Sequence, residues 1–142
     1  MGDTENRAAL ERVNALLVSG DIEAASRAIY ELSSEDFVQL WPQSGELIRG
    51  RENLIALNKS YQTATGTQPK MGSRRISGSG DMWVIESTID YGDGTLVSYV
   101  GIWEFRGGKV ARVTEYFANP FPAPEWRAKW VERTDMAGAK AG

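Results

Sequence analysis

The chain has 142 residues, of which 42% are hydrophobic and 25% charged, with a formal net charge of −3, a balance that fits one folded domain with a single core. The acidic excess argues against nucleic acid or an anionic membrane as partner, since both select basic surfaces. Cysteine and histidine are absent, which excludes thiol nucleophiles, disulfides, serine–histidine triads, Cys/His zinc sites and imidazole catalysis, and leaves proton transfer to Asp, Glu, Tyr or Lys.

No apolar run is long enough to span a bilayer, and the N-terminus lacks the apolar core of a signal peptide. The cytoplasm is therefore the expected compartment. The first periodic stretch, Thr4–Val18, carries Ala9, Val13, Leu16 and Leu17 at helical spacing. Gly20 then supplies a helix-ending glycine and Asp21 an N-cap for a second helix running to about Leu32, with Ile22, Ala25, Ile29 and Leu32 on one stripe and Tyr30 beside it. Phe37–Trp41 reads as a strand, turned by Pro42–Gly45 into a short return strand over Glu46–Ile48. A third helix is predicted over Arg51–Thr63, with Leu54, Leu57 and Tyr61 in phase.

From Lys70 the chain turns to strands: Met71–Ser77, Met82–Tyr91, Thr95–Phe105 and Val110–Phe117. Pro120–Pro124 introduces a last short helix with Trp126 and Trp130 one turn apart, a clasp expected to latch the final strand to the body or to cover a neighbouring subunit. Residues 1–133 are expected to form one domain, and Thr134–Gly142 a frayed tail. Helices followed by a meander of long strands make an α+β chain in which a curved, largely antiparallel sheet folds around three helices.

Two turns set the expected register. If Gly107-Gly108 is a two-residue hairpin turn, Phe105 opposes Val110, Trp103 opposes Arg112, and Tyr99 opposes Tyr116 on one face. With Asp93-Gly94 as a second such turn, Ile85 lies against Ile102, Ser87 against Val100 and Ile89 against Ser98. These residues share a face with Val113, Glu115 and Phe117. That face is expected to turn inward, with Glu115, Ser87 and Ser98 as a polar island in an apolar lining. The opposite face collects Tyr99, Trp103, Arg112 and Tyr116, the residue types that interface cores prefer, and implies a homodimer through that surface.

The order of elements, the Arg49-Gly-Arg-Glu-Asn53 segment that opens the third helix, and the Trp103–Phe117 ending resemble the SnoaL-like branch of the nuclear transport factor 2-like superfamily, over roughly Glu5–Glu132. The resemblance implies a conical fold whose sheet wraps a hydrophobic pocket, and commonly a dimer packed through the outer sheet faces. Its relatives include polyketide cyclases, ketosteroid isomerase, limonene epoxide hydrolase, scytalone dehydratase and non-catalytic binders. In SnoaL-like relatives a His-x-Asp pair often occupies the last strand, and the matching positions here are Val113 and Glu115. The ketosteroid isomerase base would fall near Trp41, where an indole that cannot abstract a proton stands in place of the Asp, and the Asp-Arg-Asp trio of limonene epoxide hydrolase has no counterpart on the inward face.

Glu115 is the candidate catalytic residue: among Val100, Val113 and Phe117 its carboxylate would lose solvation and its pKa would rise toward neutrality, as suits a general acid or base. Its bland alternative is a strand acid hydrogen-bonded to Ser98 or Tyr30, or salt-bridged at the rim. Candidate substrate-binding residues are Tyr30, Trp41, Tyr61, Ser87, Ser98, Val100, Val113 and Phe117, set against an ordinary core role for the aromatics. No motif calls for a metal or cofactor. Two functions follow: a cofactor-independent cyclase, isomerase, dehydratase or hydrolase acting on a small hydrophobic molecule, or a non-catalytic ligand-binding or scaffold protein using the same pocket.

Overall fold

Helix ends fall where small and capping residues stand. The computed structural model describes residues 2–134, so the tail expected over Thr134–Gly142 lies outside the described residues except for Thr134. Helix α1 (Asp3–Ser19) closes at Gly20 in the left-handed conformation, φ 83°, and Asp21 caps α2 (Ile22–Leu32) by accepting from the Ala24 N–H at 3.1 Å. Helix α3 spans Arg51–Thr65.

The strands are β1 (Ser33–Trp41), β2 (Glu46–Arg49), β3 (Lys70–Ser79), β4 (Met82–Asp90), β5 (Leu96–Arg106) and β6 (Lys109–Ala118), followed by a 3₁₀ helix over Glu125–Trp130. They form one mixed six-stranded sheet in the order β2-β1-β6-β5-β4-β3, antiparallel except where β1 runs parallel to β6. The fold is α+β. Its core joins Leu10 of α1 and Leu54 of α3 to the inward sheet residues Phe37, Trp83, Ile85, Ile89, Val97, Tyr99, Trp103, Phe105, Val110 and Val113.

Both expected hairpin registers shift by one residue, and this reverses part of the face assignment. Phe105 opposes Val110 as expected, but a β-bulge at Ala111 follows, so that Glu104 opposes Arg112, Trp103 opposes Val113, Gly101 opposes Glu115 and Tyr99 opposes Phe117. The extra residue turns Val110 and Val113 both inward, each fully buried. Between β4 and β5 the last pair is Asp90 with Leu96, so the connection spans residues 91–95 instead of a two-residue turn, and Ser87 opposes Tyr99. Because side chains alternate along a strand, a slip of one residue exchanges the faces. Tyr99 and Trp103 are therefore buried inside, each at 6% exposure, and do not belong to an outer dimer face. Ser98 and Val100 point outward: Ser98 accepts from Arg74 at 3.1 Å, and Val100 opposes the exposed Tyr116. Trp103 does not face Arg112, which pairs with Glu104 at 3.4 Å.

A second bulge, at Arg74, sends both Arg74 and Arg75 to the outer face, where Arg75 pairs with Glu86, instead of one to each side. The proline-rich segment does not latch onto the body, since Phe121, Trp126 and Trp130 are exposed at 75%, 74% and 69%. Helix α1 is instead tied to the β3–β4 turn by the buried Asn6, whose amide donates to the Gly80 carbonyl at 2.9 Å. No helix among the described residues is long and apolar enough to cross a membrane.

Candidate functional site

Between the inward sheet face and the three helices lies a cavity of about 960 Å³. Its floor is built by alternation: Gln39 and Trp41 from β1, Ile85, Ser87 and Ile89 from β4, Tyr99 and Trp103 from β5, and Glu115 and Phe117 from β6. The helices close it with Val13, Ile29, Tyr30, Leu54, Leu57 and Tyr61, among others. Exposed charges, Asp21, Glu23, Arg27, Glu52 and Lys59, sit at the rim.

Glu115 is the polar centre of the floor. Its Oε1 accepts from Gln39 Nε2 and from Trp41 Nε1, both at 2.8 Å, and its Oε2 accepts from the Tyr99 hydroxyl. Parallel pairing of β1 with β6 brings Gln39 and Trp41 alongside Glu115, and β5 brings Tyr99 from the other flank. Gly101, directly opposite Glu115, keeps the space open: a Cβ there would lie 2.2 Å from the Tyr99 hydroxyl and 2.7 Å from Trp103 Nε1. The Trp103 indole N–H, otherwise without a partner, is turned toward the Tyr99 oxygen across this gap and favours the ionised phenol.

The electrostatics follow from desolvation. Burial pushes the Glu115 carboxyl above its ordinary range, while the hydrogen bonds from Tyr99 and Trp41 pull it back in part. Tyr99 is held well above the ordinary phenol value by burial, then by the Glu115 charge and hydrogen bond, so it stays a proton donor. Tyr91 is raised by burial and by its neighbour Tyr61. A carboxylate offers about four lone-pair positions, so three donors leave room for one ligand contact.

Comparison with known proteins now bears on this geometry. A family model described as a SnoaL-like domain matches residues 10–113. The chain belongs to the SnoaL-like family. No curated protein matches it. Among solved structures, this SnoaL-like chain is 38% identical to an NTF-2-like protein of unknown function from Burkholderia xenovorans, over 92% of this chain and 96% of that one, with a TM-score of 0.77. A ketosteroid isomerase candidate from Kribbella flavida is 23% identical over 93% and 91%, with a TM-score of 0.79. An M. tuberculosis epoxide hydrolase resembling limonene epoxide hydrolase is 20% identical over 81% and 84%, with a TM-score of 0.61. The last two share the fold.

Of the residues singled out in the sequence, the SnoaL-like cavity gathers Tyr30, Trp41, Tyr61, Ser87, Glu115 and Phe117. It does not gather Ser98 and Val100, which point outward, or Val113, which is sealed in the core. Neither Ser98 nor Tyr30 is the partner of Glu115: Tyr30 donates to Glu52 at the rim, under the Arg51 guanidinium 4.5 Å from its ring. Ser87, at 2% exposure, lies on the cavity floor opposite Tyr99. Sequence reasoning missed Gln39, Tyr91, Tyr99, Gly101 and Trp103. Gln39 carried a signal, a polar residue flanked by Phe37 and Trp41 at strand spacing. Among the described residues no group of acids gathers as a metal site would.

Proposed function

We propose that this SnoaL-like protein binds a small hydrophobic molecule in the cavity and acts on it without a cofactor, by carboxylate acid–base chemistry centred on Glu115. The observation that supports this reading is the desolvated carboxylate on an apolar floor, gripped by Gln39, Trp41 and Tyr99. Rigid donors fix its orientation, and burial, which raises its pKa above the ordinary carboxyl range, makes it a better proton acceptor than an exposed carboxylate. Tyr99 donates to the carboxylate and lowers the cost of its charged form. Isomerisation, cyclisation and dehydration of a small molecule can each run on such a proton shuttle, and hydrolysis on the shuttle together with a water as nucleophile. The family's relatives with isomerase and epoxide hydrolase names favour that range by analogy.

The test is a ligand screen with steroids, polyketide intermediates, terpenoid epoxides and aromatic acids against the wild type and Glu115→Gln. Conversion by the wild type, with a 10²- to 10⁴-fold slower rate but retained binding in the variant, is the expected result for a general acid or base, a loss of about 3–5 kcal/mol in barrier terms. Equal binding without conversion by both proteins would instead make the cavity a binding module. The protein is further proposed to be a cytoplasmic homodimer through the outer sheet face, now centred on Val100, Arg112 and Tyr116; light scattering that gives a monomer mass at micromolar concentration would refute the dimer.

A further inference from the structure

The Glu115 carboxylate has no cationic partner. Its three donors, Gln39, Trp41 and Tyr99, are all neutral, and none of the ion pairs between described residues includes it. Carboxylates withdrawn from water are ordinarily paired, because hydrogen bonds from neutral groups only partly replace lost hydration. The bases at the cavity, Arg27 and Lys59, lie exposed at the rim beside the acids Asp21, Glu23 and Glu52. Arg51, over the Tyr30 ring, brings the bases at the opening to three and Arg27 pairs with Glu23, so the rim is of mixed charge and the negative charge without a cationic partner is Glu115 on the floor. An anionic ligand would meet repulsion from Glu115 at the floor.

The walls beside Glu115 are aromatic. Phe117 lies 6.5 Å from Trp41 at an interplanar angle of 72° and 5.5 Å from Tyr99 at 59°, and Tyr61 and Tyr91 line the same cavity. Rings presented at varied angles around one carboxylate form the surroundings in which an organic cation is favoured, since ring faces attract positive charge within about 6 Å and replace its hydration with apolar contact.

We infer that the cavity takes a small organic amine as its ammonium ion, with the charged nitrogen against the free lone pair of Glu115 and the carbon frame against Trp41, Tyr99 and Phe117. The inference rests on the cavity being the ligand site, as proposed above, but not on turnover. It narrows the hydrophobic molecule to one with a basic nitrogen on an otherwise apolar frame. A purely neutral ligand would leave the carboxylate unpaired, and an acid would place two negative charges together.

The experiment compares benzyltrimethylammonium, a cation with no proton to give, with its uncharged carbon isostere neopentylbenzene, followed by tryptophan fluorescence and by NMR. The wild type is expected to bind the cation at least 10-fold more tightly than the isostere, and Glu115→Gln, checked for folding by circular dichroism, to lose that preference. Phe117→Leu, which keeps apolar volume but removes a ring, is expected to weaken the cation several-fold and leave the isostere nearly unchanged. Cation binding in the wild type is expected to fall as pH drops through the Glu115 titration. The groups facing that carboxyl, Gln39, Trp41, Tyr91 and Tyr99, carry no charge of their own in this range, and the rim acids are exposed. Equal affinity for cation and isostere, or a preference that survives in Glu115→Gln, overturns the amine while leaving the hydrophobic-cavity reading in place. Binding of neither probe, and of no apolar compound in the screen, overturns both.

Discussion

Adding one methyl group at Gly101 tests the site's construction most directly. Its backbone is not in the left-handed region, so Gly101→Ala introduces no φ strain, and any effect comes from space. The new Cβ would meet the Tyr99 hydroxyl at 2.2 Å, Trp103 Nε1 at 2.7 Å and Tyr99 Cζ at 2.8 Å, closer than carbon contacts allow. A rigid ring cannot bend away as a flexible chain end can. Tyr99 must swing from Glu115, so the variant incurs overpacking, about 1–3 kcal/mol, and loses a hydrogen bond to a charged group, about 1.5–3 kcal/mol. The total, about 2.5–6 kcal/mol, corresponds to a fall in Tm of roughly 8–18 °C at about 3 °C per kcal/mol for a chain of this size. Urea denaturation and calorimetry measure the loss. The double variant Gly101→Ala with Tyr99→Phe removes the nearest clashing atom and is expected to cost less than the sum of the single changes, a coupling of about 1 kcal/mol or more. If Gly101→Ala melted within 2 °C of the wild type, or if the two changes were additive, the close-packed Tyr99–Glu115 arrangement would be wrong.

Other outcomes follow from the same geometry. Tyr99→Phe removes a donor that lowers the Glu115 pKa, so the pH profile of any Glu115-dependent activity or cation binding should move to higher pH, and stability should drop by about 1–3 kcal/mol. Because folding raises the Glu115 pKa, the native state binds more protons than the unfolded one between the ordinary carboxyl value and the raised one. This group's contribution to stability therefore declines as pH rises through that window and is constant above it. Subtracting the urea-derived stability of Glu115→Gln from that of the wild type across pH 4–8 should show this downward slope, and a flat or rising difference would contradict the desolvated carboxyl. Asn6→Ala removes one of the two side-chain donors to the Gly80 carbonyl, the Trp83 indole N–H remaining at 2.9 Å, and opens a small gap under α1, for an expected loss of about 0.5–1.5 kcal/mol in equilibrium unfolding.

Much of the fold was legible in the sequence because local chemistry decides it. Gly20 and Asp21 mark the α1–α2 junction, apolar spacing of 3 and 4 marks the helices, and β-branched and aromatic runs broken by glycine mark the long strands. The family resemblance added the conical α+β arrangement, and the last strand's inward set of Val113, Glu115 and Phe117 needed only alternation from a residue inside β6. Glu115 could therefore be singled out without coordinates.

Which residues meet Glu115 was decided only by tertiary structure. The bulge at Ala111 and the connection over residues 91–95 each alter a strand count by one, and no local propensity at these positions distinguishes a two-residue turn from its neighbours in length. Burial of both Val110 and Val113 favours the bulged register, and that preference exists only once the helices cover the sheet. One residue of slip carried Tyr99 and Trp103 inward and Ser98 and Val100 outward. The parallel pairing of β1 with β6 joins residues more than 70 positions apart, and through it Gln39 and Trp41 reach the carboxylate. The sequence by itself determined that a lone acid would sit on an apolar inward strand. Only long-range packing, which sums burial over the whole sheet, chose the neutral donors and aromatic rings that surround it.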